Sequence, residues 1–232
     1  MQASPLIEVR GLTYCYPDGT KALDGVDFHL SEGETVALLG ANGSGKTTFV
    51  LHLNGLVSGS GSITVCGMRL EKSNLAAIRR KVGLVFQDSD EQLFMPSVLE
   101  DVAFGPVNQG LHVGEAKERA LEALQLVGMK HAGGKAPYHL SAGEKRRVAL
   151  AGVLVMNPAV LVLDEPTTFL DPPGQRELVN LLKRLPQAKI IVTHDTSFAS
   201  ALATRAVFFS SGRVAGEGEP AALIKRFEWS AS

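Results

Sequence analysis

The chain has 232 residues, the length of one large domain or one and a half small ones, and enough to bury a core without disulfides or a metal staple. With 23 basic against 24 acidic side chains, 20% charged and 45% hydrophobic residues, it is too apolar to be disordered and has no basic excess to favour nucleic acid or an anionic membrane. Glycine stands out at 24 of 232 residues, about 10% against about 7% typically.

Met1 to Val9 lacks both a charged n-region and an apolar h-region, so no signal peptide is expected. A strand is predicted over Leu6–Val9 and a second over Ala22–Leu30, after the turn Tyr16-Pro17-Asp18-Gly19. Thr35–Leu39 reads as a buried strand that runs through a glycine-rich turn into a helix-compatible stretch, Gly45–Leu56. Gly59-Ser60-Gly61 is a loop before the strand Ser62–Cys66, and Val82–Phe86 is another apolar strand. From Pro96 to about Gly128 the pattern is helical, with Ala120, Leu121, Leu124 and Val127 on one face. Strands resume at Val160–Leu163, Lys189–Thr193 and Ala206–Ser210, each expected to be followed by a helix. This alternation argues for an α/β fold with a mainly parallel sheet, into which a helical middle is inserted. The most apolar stretch, Val148–Leu163, is cut by Asn157-Pro158, and neither half reaches the roughly 20 residues of a bilayer span, so a soluble chain is expected. Cys15 and Cys66 are far apart and outside any CxxC or His-rich context, which predicts reduced thiols in a cytosolic protein.

Gly40-Ala41-Asn42-Gly43-Ser44-Gly45-Lys46-Thr47 matches G-x-x-x-x-G-K-[ST] directly after a strand and before a helix. Glycines let successive backbone N–H groups turn toward one anion, and the helix N-terminus adds a favourable field. Lys46 is the candidate for the β- and γ-phosphates, the Thr47 hydroxyl for Mg²⁺, and Thr48 for the α-phosphate. Leu161-Val162-Leu163-Asp164-Glu165 places two acids at the end of an apolar strand. In a parallel sheet that end faces the crevice holding the phosphate loop. Asp164 suits Mg²⁺, directly or through water, and Glu165 suits the polarising of an attacking water. Ile190-Ile191-Val192-Thr193-His194-Asp195 repeats the design. His194 is positioned to orient water and meet a γ-phosphate, while Asp195 or Thr193 is a candidate cap for the next helix. Leu140-Ser141-Ala142-Gly143-Glu144 reads as a capping box, with Ser141 as N-cap and Glu144 three residues on. A helix N-terminus of this kind is also an anion site.

In this order the motifs resemble the ATP-binding subunit of an ABC transporter: aromatic Tyr16, Walker A Gly40–Thr47, Q-loop Gln87, signature Leu140–Glu144, Walker B Leu161–Glu165, D-loop Asp171 and switch His194. The resemblance covers essentially the whole chain. It implies a P-loop NTPase core with an N-terminal antiparallel β-subdomain and an inserted α-helical subdomain. The core with the β-subdomain would span 1–86 and 157–232, and the Q-loop, helical subdomain and signature 87–156. Tyr14-Cys15-Tyr16-Pro17-Asp18-Gly19, the extended Q-loop Val85–Phe94 and Glu144–Ala149 are similar to energy-coupling-factor (ECF) and cobalt/nickel importers. Departures from the common Leu-Ser-Gly-Gly-Gln are Ala142, tolerable at negative φ, and Glu144; Phe169 in the D-loop is unusual.

The resemblance implies that two ATPase subunits, two copies or a copy and a paralogue, close head to tail over ATP. Ser141 and Gly143 would then act on the partner's nucleotide, and Tyr16, in preference to Tyr14, would stack on adenine. Gln87 would sense the γ-phosphate and join Thr47 and Asp164 around Mg²⁺, while Glu165, His194 and Lys46 carry catalysis. The expected partners are an integral membrane coupling subunit and a substrate-capture subunit, with no nucleic acid. The expected location is peripheral, at the cytoplasmic face of the cell membrane. The reading is an ATP-driven motor for cobalt, nickel or vitamin uptake. Two other readings are a non-transport ABC ATPase acting on nucleic acid or ribosomes, which usually carries basic arms or coiled-coil insertions, and an ATP sensor without turnover, against which the intact Asp164, Glu165 and His194 argue.

Overall fold

The computed structural model describes residues 5–229, so the first four residues of the stretch read for a signal peptide lie outside the described part. In chain order the elements are β1 (Ile7–Cys15), β2 (Lys21–Leu30), β3 (Thr35–Leu39), α1 (Lys46–His52), β4 (Ser60–Val65), β5 (Met68–Arg69), α2 (Leu75–Lys81) and β6 (Val82–Val85). The helical middle is α3 (Val98–Asn108), α4 (Val113–Leu126) and α5 (Ala142–Leu154). The chain then continues through β7 (Val160–Asp164), α6 (Pro172–Arg184), β8 (Ala188–Val192), α7 (Thr196–Leu202), β9 (Arg205–Ser210), β10 (Arg213–Gly218) and α8 (Pro220–Arg226).

One sheet is antiparallel, in the order β2-β1-β4-β5. The other runs β10-β9-β3-β8-β7-β6, parallel except for β10. All five residues of β3, of β7 and of β8 are buried, the signature of parallel strands covered on both faces. The period-2 alternation sorts their side chains between layers. Val160 and Val162 join Ile190 and Val192 beneath the antiparallel sheet, α1 and α2, whereas Leu161 and Leu163 join Ile191 under the helices α3 to α6. Ala37 and Leu39 of β3 meet Ala206, Phe208 and Leu223 in a third, smaller cluster.

Side-chain caps start the helices of the second half. Ser97, His112, Ser141, Asp171, Asp195 and Glu219 each accept an N–H from the first turn that follows. Of the two candidate caps for α7, Asp195 is the one used.

Several expectations change. The first strand continues to Cys15, with a register shift that passes Gly11 at φ +57°. The stretch Pro96–Gly128 is two helices, separated around Gly110 at φ +91°. The helix after the phosphate loop stops at His52 rather than Leu56. In α4, Ala116, Ala120, Ala123 and Leu124 are buried while Leu121 is half-buried. The strand Ala206–Ser210 leads not into a helix but through the turn at Ser211-Gly212 into antiparallel β10, whose half-exposed pattern has no apolar run to reveal it.

Candidate nucleotide site

The carboxyl ends of β3, β7 and β8 converge on a crevice of about 430 Å³, lined by Tyr16, Asn42, Gly43, Gly45, Lys46, Thr47, Thr48, Gln87, Asp164, Glu165 and His194 among others. A larger polar cleft of about 690 Å³ lies between β2 and β10, but its Arg10, Asp24 and Arg213 are engaged in ion pairs and it holds no orphaned carboxylate.

The phosphate loop owes its shape to its glycines. Gly40, Gly43 and Gly45 have φ of +134°, +76° and +104°. A Cβ at Gly40 would sit 2.2 Å from the Phe209 carbonyl oxygen, and one at Gly45 would sit 2.6 Å from that of Ala22. Within this loop Lys46 is only 6% exposed, and its ammonium donates to the carbonyls of Gly40 (2.7 Å) and Ala41 (2.9 Å). Burial pushes its pKa down, and the nearby Glu165 and Asp164 oppose the shift.

Asp164 closes β7 and is 4% exposed. Burial raises its carboxyl above the ordinary range; the Thr47 hydroxyl opposes this, Glu165 adds to it, and Lys46 and Arg146 oppose it. Glu165 follows in the left-handed region at φ +45°, its N–H donating to the Val192 carbonyl at 2.8 Å. The His194 Nδ1 stands 2.9 Å from the Glu165 Oε2, close but not aligned as a hydrogen bond, so that oxygen stays unpartnered. The Asp164 Oδ1 and the Ser44 Oγ are buried and unpartnered as well. Each such atom costs about 1–3 kcal/mol, and the two carboxylate oxygens of Asp164 and Glu165, residues that both line the crevice, mark a place built for a ligand rather than for stability.

The donors suit Mg²⁺, a hard cation held by oxygen atoms. Thr47, Gln87 and Asp164 offer a hydroxyl, an amide oxygen and a carboxylate along one wall. No group of three or more His, Cys, Asp or Glu residues forms a metal cage among the described residues. That fits an ion completed by substrate phosphates and water, the usual arrangement for Mg²⁺.

Of the two candidate tyrosines, Tyr16 lines the crevice, and its hydroxyl shares a 2.8 Å hydrogen bond with the Thr48 hydroxyl. Tyr14 packs edge-on against His52 and Tyr16 within the layer beneath. Ser141 and Gly143 are not brought to this crevice. They sit at the start of α5, where the Glu144 carboxylate accepts the Ser141 N–H at 2.8 Å and its hydroxyl at 3.0 Å. Ala142 is not among the positive-φ residues, so its methyl is unstrained. A Cβ at Gly143 would stand 3.1 Å from the Leu170 Cδ2, so that side chain would have to give by a few tenths of an ångström.

Arg146 falls within the run Glu144–Ala149 but was given no role of its own there. It shares the buried face of α5 with Ala149 and Leu150, at i+3 and i+4, and is 4% exposed. A charge in line with an apolar helix face was the available signal.

A P-loop joined to a strand-end acid pair, under a helical layer, defines a nucleotide-phosphate-hydrolysing cassette. The family model described as ABC transporter matches residues 23–168. The chain belongs to this family, as an ATP-binding, ATP-hydrolysing subunit. It is 46% identical over 229 residues to the energy-coupling factor transporter ATP-binding protein EcfA of Methanothermobacter thermautotrophicus, covering 96% of this chain and 74% of that one. It superposes on cbiO1 from Clostridium perfringens, part of the ABC transporter complex cbiONQ, with a TM-score of 0.87 at 39% identity over 97% and 93% of the two chains. It is also similar to the dimeric post-hydrolysis ATP-binding cassette MJ0796 bound to ADP and Pi, with a TM-score of 0.84 at 29% identity over 92% and 98%.

Proposed function

We propose that this chain is the motor subunit of an ECF-type importer for cobalt, nickel or a vitamin, working in the cell peripherally, at the cytoplasmic membrane face. The observation that carries the reading is the set of orphaned buried oxygens of Asp164 and Glu165 facing Lys46 and Thr47 across one crevice. Lys46 leaves the loop carbonyls for the β- and γ-phosphates, and the N–H groups from Ala41 to Thr48 surround the phosphate chain. Tyr16 stacks on adenine. Thr47, Gln87 and Asp164 would hold Mg²⁺, which would supply neutralisation of the phosphate charge. Glu165 accepts a proton from the attacking water, and His194, at its side, orients that water.

Ser141 and Gly143 complete a second copy's or a paralogue's site. That assignment is supported by their separation from this chain's own crevice and by the dimeric, ADP-bound relative. We assign 1–86 and 157–232 to the core with its β-subdomain, and 87–156 to the Q-loop and helical subdomain. No helix among the described residues is long and apolar enough to cross a membrane; in this reading a membrane coupling subunit provides the passage and a capture subunit selects the cargo. The exposed pair Phe94 and Phe104, stacked edge-to-face at 5.0 Å on the helical layer, is the proposed contact for the coupling subunit. The test is purification with co-isolated membrane proteins, followed by ATPase assay of the wild-type and Glu165→Gln complexes. The reading requires an integral membrane partner and a loss of turnover of about 100-fold or more at undiminished ATP affinity. Near-wild-type turnover by the variant would remove Glu165 as the base, and a nucleic-acid or ribosomal partner would overturn the transport reading.

A further inference from the structure

The buried guanidinium of Arg146 meets no carboxylate directly. Its nitrogens donate to the main-chain carbonyls of Gln87, Glu165 (3.0 Å) and Asp164 (3.4 Å). Those carbonyls belong to two separate parts of the site: the loop after β6, and the end of β7 with the left-handed residue that follows it. Arg146 lies on the first turns of α5, whose N-terminus is Ser141. It does not line the nucleotide crevice, whereas the side chains of Gln87, Asp164 and Glu165 do.

Two further contacts hold the loop 87–92. Lys145 pairs with Asp90 at 2.6 Å. Gln92 imitates a neighbouring strand, accepting the Phe86 N–H at 2.9 Å and donating to the Leu84 carbonyl at 3.1 Å along the edge of β6. The loop is therefore pinned to the sheet at one end and to α5 at the other. A left-handed non-glycine residue such as Glu165 costs about 1–3 kcal/mol and persists only where its surroundings hold it. Arg146 is the buried side chain that grips its carbonyl.

We propose that Arg146 is a positioning residue for ATP hydrolysis: its fork fixes the Gln87 and Glu165 backbones relative to each other and to the signature helix. The general base is thus held in register with the γ-phosphate sensor, and neither moves without α5. The inference rests on the roles proposed above for Gln87 and Glu165. Lysine would not replace it, because one ammonium on a flexible stem lacks the rigid fork that reaches carbonyls on both sides.

The test uses the full chain in complex with its membrane partners, in wild-type, Arg146→Lys, Arg146→Ala and Glu165→Gln forms. For the Arg146 variants kcat should fall about 100-fold, the penalty of a displaced catalytic group, while the KM for ATP and the calorimetric ATP affinity stay within about threefold. Amide exchange should rise in 87–92 and 165–168 but not in β3 or β8, and guanidinium ion added to Arg146→Ala should restore part of kcat. Global loosening with kcat, affinity and thermal midpoint falling together, and no rescue, would reduce Arg146 to a stability residue and overturn the proposal. So would unchanged kcat in both variants. If Arg146→Ala does not fold, Arg146→Lys decides by the same split. Turnover that survives in Glu165→Gln would count against the assigned base, whereas turnover lost there and kept in the Arg146 variants would count against Arg146 alone.

Discussion

At Asp164 the conflict between folding and ligand binding is sharpest. Its carboxylate is buried with one oxygen unpartnered, and burial raises its pKa. An acid whose folded pKa lies above its unfolded value binds more protons when folded, so stability falls as pH rises through that window and the full penalty is present above it. Asp164→Asn should therefore raise the thermal midpoint of the nucleotide-free protein near neutral pH by about 2–4 °C, the shift worth about 1 kcal/mol at this size. The gain over wild type should shrink as pH is lowered toward the ordinary aspartate value of 3.8. The same variant should lose the Mg²⁺-dependent part of its ATP affinity. A lowered midpoint with Mg²⁺ dependence intact would contradict this account. Glu144 presents a simpler case: its carboxylate is occupied with the Ser141 N–H and hydroxyl, so the departure from glutamine is absorbed locally as a cap.

At the scale of elements, close packing of α5 on the sheet is what brings Arg146 within reach of the Gln87, Asp164 and Glu165 carbonyls. Gly83 of β6 permits it, because a Cβ there would stand 2.3 Å from the Val153 Cγ1 and 3.1 Å from the Pro158 Cγ. Gly83→Ala should destabilise the fold by about 1–3 kcal/mol through overpacking, measured by urea unfolding with little change in slope. A neutral effect would mean that α5 is free to slide. The cap of α5 separates two roles of Ser141. In a mixed dimer, Ser141→Ala in one subunit should impair hydrolysis at the partner's site while the loss of the cap costs its own helix only about 1 kcal/mol. Normal hydrolysis at both sites would exclude the trans contact.

For the whole molecule, nucleotide binding and stability are linked. ATP with Mg²⁺ at a hundredfold excess over Kd should stabilise the chain by about 2.7 kcal/mol, roughly 5–10 °C in thermal midpoint at this size. Lys46→Ala should remove most of that shift without unfolding the protein, and an unchanged shift would contradict the phosphate-loop role of Lys46. The parallel core was legible because its strands are unbroken apolar runs, ending in the glycine turn at Gly40 or in the polar tips Asp164-Glu165 and Thr193-His194, a pattern contained in the local residue order. The edge strand Arg213–Gly218 was not, since half-exposed residues with two glycines carry no periodic signal and only pairing with β9 makes them a strand. Of the glycine excess, the first anomaly in the composition, Gly40, Gly43 and Gly45 lie at positive φ in the phosphate loop, where the local motif points to them. At Gly83 the demand comes from Val153, seventy residues away. By itself the sequence determined the family, the phosphate loop and the acid pair, because their chemistry depends on neighbours along the chain. Tertiary structure alone decided that Arg213–Gly218 pairs as a strand with β9, that Gly83 leaves no room for a side chain against Val153, and that Arg146 reaches the carbonyls of Gln87 and Glu165. Each of those depends on contacts between residues distant in sequence, which packing sets and local order does not encode.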